Sequence, residues 1–218
     1  MSGPHQGQSV ATAGPAPETA SAGVVLVHGR GATARGMVGI AEQLGVEDVA
    51  YRAPQAQRGS WYPNRFIAPV EQNEPHLASA LQAVSDSVES FVDAGIPYER
   101  IVVLGFSQGA CLGSEFVART PRTYGGVVAF SGGLIGPLGT EFDHEGDLSG
   151  TPVFLGCSDS DPHIPVERVH ETRDVFERLG ADVTERIYEG MGHTINEDEL
   201  EFVRELLTRV VADAGGTP

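Results

Sequence analysis

Gly105-Phe106-Ser107-Gln108-Gly109 form the pattern G-x-S-x-G directly after the strand-like run Arg100-Ile101-Val102-Val103-Leu104, the order of a nucleophile elbow. A serine hydroxyl is a poor nucleophile at its free pKa. It must be held clear of the backbone, beside a base and beside donors for a developing oxyanion. A sharp strand-to-helix turn does this, and its two glycines leave room for the close backbone approach the turn requires. In a chain with 28 glycines among 218 residues the motif alone is weak, and its context strengthens it. Cys111, Leu112, Phe116 and Val117 recur at helical spacing beyond the elbow until Thr120-Pro121 stops the segment.

If Ser107 is the nucleophile, an orienting acid and then a base should follow on loops after later strands. After the run Val153 to Cys157 comes Ser158-Asp159-Ser160-Asp161-Pro162-His163-Ile164-Pro165, and after Val183 to Tyr188 comes Glu189-Gly190-Met191-Gly192-His193. His193 is placed to take the proton of Ser107 and return it to a leaving group, with Asp161 holding its tautomer. Asp159 is the near alternative. Pro162 restricts the residue before it to extended backbone, which favours Asp161. His163 and His170 lie before and within a helical segment, and His5 and His76 lie in the leader and at a helix start, so they compete poorly as bases.

An oxyanion hole needs two backbone donors. The Gln108 amide, at the start of the helix after the nucleophile, is one candidate, favoured also by the helix dipole. The other is the Arg30 amide in the glycine-rich turn His28-Gly29-Arg30-Gly31 that ends the first apolar run, Gly23 to Val27.

The rest of the chain supplies the elements that would hold these groups. Helical segments are expected over about 33–44, from Leu77 to Val92, over about 165–179, and from a capping box at Asn196 and Glu199 onward. Strands are expected near 49–52 and at 126–130. The irregular stretch Ala53 to Val70 carries Trp61, Tyr62 and Phe66, and aromatic loops of that length are usually functional. Alternating strands and helices predict a mostly parallel α/β sheet with helices on both faces, and ligands bind at the carboxyl ends of such strands.

Domain organisation is read as a disordered leader over residues 1–22, rich in Gly, Ala, Pro, Ser and Gln, one catalytic domain over 23–213, and a flexible tail over 214–218. The leader lacks the basic and apolar parts of a secretory signal and no run reaches the length of a membrane span, so a cytoplasmic location is expected. Cys111 and Cys157 fall in buried-looking segments and read as reduced packing thiols. Thirty acidic residues oppose fourteen basic ones, for a net charge of −16, and every basic residue is arginine. Adaptation to high salt explains both the charge and the composition, whereas a high-GC genome explains only the missing lysine. Nucleic acid is a poor partner for such a polyanion.

Taken together, His28-Gly29-Arg30-Gly31, Ser60-Trp61-Tyr62, the elbow, Asp159 to Pro165 and Gly190-Met191-Gly192-His193 resemble the phospholipase/carboxylesterase family of α/β-hydrolases, which includes acyl-protein thioesterases. The resemblance runs from about Gly23 to Val211. It implies an α/β-hydrolase fold without a large lid domain, a Ser107-Asp161-His193 triad, an oxyanion hole at the Arg30 and Gln108 amides, no cofactor, no metal, and frequent pairing as homodimers. It also implies that Trp61 lies beside the acyl site, and Phe66, Ile164 and Met191 are the further apolar residues expected there. Two features depart from the family pattern. Arg30 stands where its thioesterases usually carry an apolar residue, and Ala32-Thr33 replaces an aspartate they place soon after that turn.

Arg30 either favours acidic or polar substrates or simply points to solvent. The expected activity is that of a serine carboxylesterase acting on small or medium acyl esters through an acyl-enzyme. Thioester hydrolysis, on acylated proteins or acyl carriers, is the alternative within the class. A non-catalytic hydrolase-fold protein binding an ester-like ligand is the alternative from another class, and it is disfavoured because all three triad residues are present.

Overall fold

Buried apolar runs form the centre of the sheet and supply both of its faces. In β2 (Ala22–Val27), Val25 and Val27 face one core while Val24 and Leu26 face the other; in β4 (Ile101–Phe106), Ile101 and Val103 oppose Val102 and Leu104 in the same way. This is the signature of strands covered on both faces. The computed structural model describes residues 3–215. Its seven-stranded sheet has the order β1-β3-β2-β4-β5-β6-β7, with β1 at Val10–Ala13, β3 at Val49–Pro54, β5 at Gly126–Phe130, β6 at Pro152–Ser158 and β7 at Asp182–Tyr188. All pairings are parallel except β1 with β3.

α1 (Ala34–Leu44) and α5 (Glu197–Gly215) cover one face of the sheet, and α2 (His76–Asp93), α3 (Gln108–Arg119) and α4 (Val166–Arg178) cover the other. Their ends follow from local chemistry. Thr33 Oγ1 accepts the Gly36 amide at 3.1 Å to open α1, and Gly45, at φ 62°, closes it in the left-handed region. At α5 the expected capping box is reciprocal, with the Asn196 amide donating to Glu199 Oε2 and the Glu199 amide to Asn196 Oδ1, both at 2.9 Å.

The expectation of a disordered leader over 1–22 is corrected. Strand β1 lies within it, pairing Val10 with Pro54 and Ala13 with Tyr51, and β2 begins at Ala22. Further upstream His5 is buried, 3% exposed. Its amide donates to Ser79 Oγ on α2, its Nε2 donates to the Trp61 carbonyl at 2.7 Å, and its Nδ1 accepts the Gln57 amide at 3.0 Å. The segment holds on through hydrogen bonds and one buried imidazole rather than an apolar run, so hydrophobic patterning did not mark it. At the other end α5 runs through Gly215; the remainder of the expected flexible tail, residues 216–218, lies outside the described residues, as do residues 1 and 2. No helix among the described residues is long and apolar enough to cross a membrane.

Candidate active site

Ser107 sits at φ 56°, ψ −121° between β4 and α3, a conformation that costs a non-glycine residue free energy and persists only when its surroundings impose it. Its amide is tied to the Phe130 carbonyl of β5 at 2.9 Å. Both elbow glycines are required by close approach. A Cβ at Gly105 would overlap the Gly109 carbonyl, and one at Gly109 would overlap the Val27 carbonyl of β2. The serine hydroxyl is thereby lifted above the carboxyl edge of the sheet.

The loops after β6 and β7 meet it there. His193 Nε2 lies 2.9 Å from Ser107 Oγ, and His193 Nδ1 lies 2.7 Å from Asp161 Oδ2. Asp161 Oδ1 accepts the His163 and Ile164 amides at 2.8 and 3.1 Å, so both carboxylate oxygens are engaged. Burial pushes the Asp161 carboxyl up, but the bonds from His193, His163 and Ile164 together outweigh it and hold its pKa below the ordinary aspartate value. An ionised Asp161 fixes the imidazole tautomer with its proton on Nδ1, leaving Nε2 to accept from Ser107. Asp159 Oδ1 instead accepts the Gly190 amide at 2.9 Å and Ser158 Oγ accepts the Gly192 amide at 3.0 Å; both bonds tie the histidine loop to the acid loop.

The amides of Arg30 and Gln108 donate to no other group among the described residues. The turn that carries Arg30 is held by its own histidine. His28, fully buried, donates from Nδ1 to the Gly29 carbonyl at 2.7 Å and accepts the Ala56 amide on Nε2 at 3.1 Å. Burial pushes its pKa down, so it stays a neutral imidazole with a fixed tautomer. The Gln108 side chain bonds the aromatic loop, accepting the Trp61 amide and donating to the Tyr62 carbonyl, each at 2.9 Å. Arg30 binds the same loop from the other side. Its guanidinium donates to the carbonyls of Pro63, Tyr62 and Asn64 at 3.0, 2.8 and 2.7 Å.

A cleft of about 600 Å³ opens over Ser107 and His193. Phe66 and Ile164 line it, with Tyr62, Phe106 and Cys111 adding apolar surface. Trp61 and Met191 do not. Trp61 is fully buried behind the turn, where its Nε1 donates to the His28 carbonyl at 2.8 Å and its ring packs 4.9 Å from that of His28. Met191 accepts a hydrogen bond from Asn196 Nδ2 on its sulfur. Burial pushes the Cys111 thiol up to about 12, so it packs as a neutral apolar group.

Several cleft residues escaped the sequence reading. Phe106, the variable residue of the elbow, packs its ring 4.9 Å from that of His193. His163, set aside as a base, meets His193 edge to face at 4.8 Å, and Arg65 Nη2 donates to its carbonyl at 3.3 Å. Position in the elbow was a signal for Phe106; nothing in the local pattern marked Arg65. Among the described residues no cluster of His, Cys, Asp and Glu side chains has the makings of a metal site.

A strained serine, an imidazole and a buried carboxylate in hydrogen-bonded series, with two unpaired amides beside them, can perform acyl transfer. The sequence matches the phospholipase/carboxylesterase family model over residues 10–211, and the chain belongs to that family. Its α/β-hydrolase fold is shared with a phospholipase/carboxylesterase from Dyadobacter fermentans, 42% identical, with a TM-score of 0.88 over 92% of this chain and 96% of the other. Acyl-protein thioesterase 1 of Neurospora crassa is 28% identical over 89% of each chain. A probable inactive carboxylesterase of rice is 26% identical over 88% of this chain and 86% of its own length.

Proposed function

We propose that the protein is a serine carboxylic ester hydrolase that works through an acyl-enzyme. The observation that carries this reading is the unbroken series from Ser107 Oγ through His193 to Asp161, at 2.9 and 2.7 Å. In the first half-reaction Ser107 Oγ attacks the ester carbonyl carbon as His193 Nε2 takes its proton. The carbonyl electron pair moves onto oxygen, where the Arg30 and Gln108 amides receive it. Collapse of this intermediate breaks the bond to the alcohol, which takes the proton from His193. Water, deprotonated by the same nitrogen, then releases the acid and restores the hydroxyl.

Phe66, Phe106, Ile164 and Tyr62 supply apolar contact for a small or medium acyl chain. The thioesterase reading is supported by the names of four fungal relatives, the Neurospora protein among them, all acyl-protein thioesterase 1. The same steps apply to a thioester, with a thiol as leaving group.

Quenching the enzyme during turnover of a p-nitrophenyl ester and weighing its peptides tests the proposal. An acyl adduct on the peptide containing Ser107 is expected. Turnover with the adduct on another residue, or no turnover of oxyesters or thioesters by the folded protein, would remove it.

A further inference from the structure

The protein carries a net charge of −16, yet the residues lining the cleft over Ser107 include two arginines, Arg30 and Arg65, and not one carboxylate. Three other surface grooves are different: each is bordered by acids, among them Glu99 and Asp182, Glu201 and Glu205, or Asp86. Five of the fourteen arginines form ion pairs among the described residues, and neither cleft arginine is one of them. The guanidiniums of Arg30 and Arg65 bond only backbone carbonyls. A carbonyl satisfies donors without cancelling charge, so neither arginine contacts a carboxylate at the groove that holds the reactive serine, and the nearby Asp161 carboxylate is buried behind His193.

Their placement separates two roles. Arg30 commits both Nη atoms to the carbonyls of residues 62–64 and fixes the loop. Arg65 is exposed and makes a single bond, to the His163 carbonyl, which leaves most of its planar fork free. His163 in turn stands against His193, so an anion on the Arg65 fork lies at the rim of the reaction centre.

We propose that the ester cleaved at Ser107 carries a second, anionic group, a carboxylate or a phosphate, which Arg65 receives at the cleft rim while Arg30 adds its charge from the same lining. This rests on the esterase reading above. An anionic substrate must approach a polyanion, and a cleft whose lining exposes two arginines and no carboxylate, with Asp161 buried behind His193, gives it a locally favourable field.

Matched pairs of esters test it. The p-nitrophenyl hemiester of glutaric acid is compared with p-nitrophenyl valerate, which places a carboxylate on the acyl side. Butyryl glycerol phosphate is compared with monobutyrin by proton release, which places a phosphate on the alcohol side. The anionic member of at least one pair is expected to have a kcat/KM about tenfold higher at low salt, with the preference shrinking as salt screens it. The pair that shows it identifies the group bound. In Arg65→Gln the anionic-to-neutral ratio should fall about tenfold, in Arg65→Lys it should largely persist, and in Arg65→Glu it should drop below one. Ratios at or below one in both pairs for the parent, or ratios unmoved by Arg65→Glu, overturn the proposal and leave the esterase reading intact. A folded parent that hydrolyses none of the four esters and no thioester overturns both.

Discussion

Asp159 Oδ1 accepts the Gly190 amide at 2.9 Å, a bond between the acid loop and the histidine loop that engages neither Ser107 nor the imidazole. Asp161, two residues on, bonds His193 directly. The two aspartates are therefore expected to separate sharply under the same substitution. Asp161→Asn should leave the fold intact and lower kcat by about 10³–10⁴, because an amide cannot hold the Nδ1 proton and stabilise the imidazolium. Asp159→Asn keeps an acceptor oxygen for Gly190 and should retain most activity. Steady-state kinetics of the two variants decide it, and a larger loss at Asp159 would reverse the assignment.

Arg30 clamps the loop of residues 62–64 through its side chain, and its amide is the proposed oxyanion donor. Arg30→Met removes only the first, because the backbone is unchanged. The carbonyls of residues 62–64 then turn to water, the loop bearing Tyr62 and Phe66 loosens, and KM should rise more than kcat falls. A melting temperature lower by about 2–4 °C is expected from the loss of hydrogen bonds worth about 1 kcal/mol. A kcat that collapses with KM unchanged would show that the clamp sets the oxyanion geometry itself.

His5 links the N-terminal segment to the aromatic loop, and its burial lowers its pKa below 6.5, as burial does for His28. The unfolded chain then binds more protons than the folded one as pH falls below about 6.5, so folding stability should decline from that point downward. His5→Ala leaves the Trp61 carbonyl and the Gln57 amide without their partner and should cost about 1–3 kcal/mol. It should also shrink the decline between pH 7 and pH 5. Urea unfolding at several pH values reads both effects, and a His5→Ala curve parallel to the parent's would show that His5 does not titrate with folding.

Glu199 has the opposite sign. Burial pushes its carboxyl up to about 7 from 4.5, its Oε1 has no partner among the described residues, and that oxygen sits so close to the Gly156 backbone that a Cβ there would overlap it. The folded state holds the extra proton between these values, so stability tied to Glu199 is lost as pH rises from 4.5 to 7. Glu199→Gln keeps an acceptor for the Asn196 amide and removes the charge. Its melting temperature should exceed the parent's at pH 8, and the difference should vanish below pH 5. Equal melting curves at pH 8 would show that the ionised carboxyl is accommodated at no cost.

Most of this architecture was legible because strong local signals agreed with one another. Strand, elbow and helix around Ser107 were each marked independently, and the capping box at Asn196 and Glu199 was readable from two residue types at one spacing. Those signals describe backbone paths and elements buried on a face. They say little of what a long side chain does once the loops fold together. Trp61 was expected beside the acyl chain and instead is buried behind the His28 turn. Arg30 was expected to face either substrate or solvent and instead binds three carbonyls of a loop more than thirty residues away in sequence. β1 escaped because an edge strand can be specified by backbone bonds with little apolar burial.

Ser107 as the nucleophile is put to the test by kcat on p-nitrophenyl butyrate for the parent and for Ser107→Ala. The substitution removes only an oxygen, so circular dichroism should match the parent while kcat falls by about 10⁴ or more. A folded Ser107→Ala protein that still turned the ester over within tenfold of the parent would contradict the account and send the search for the reacting group elsewhere in the cleft.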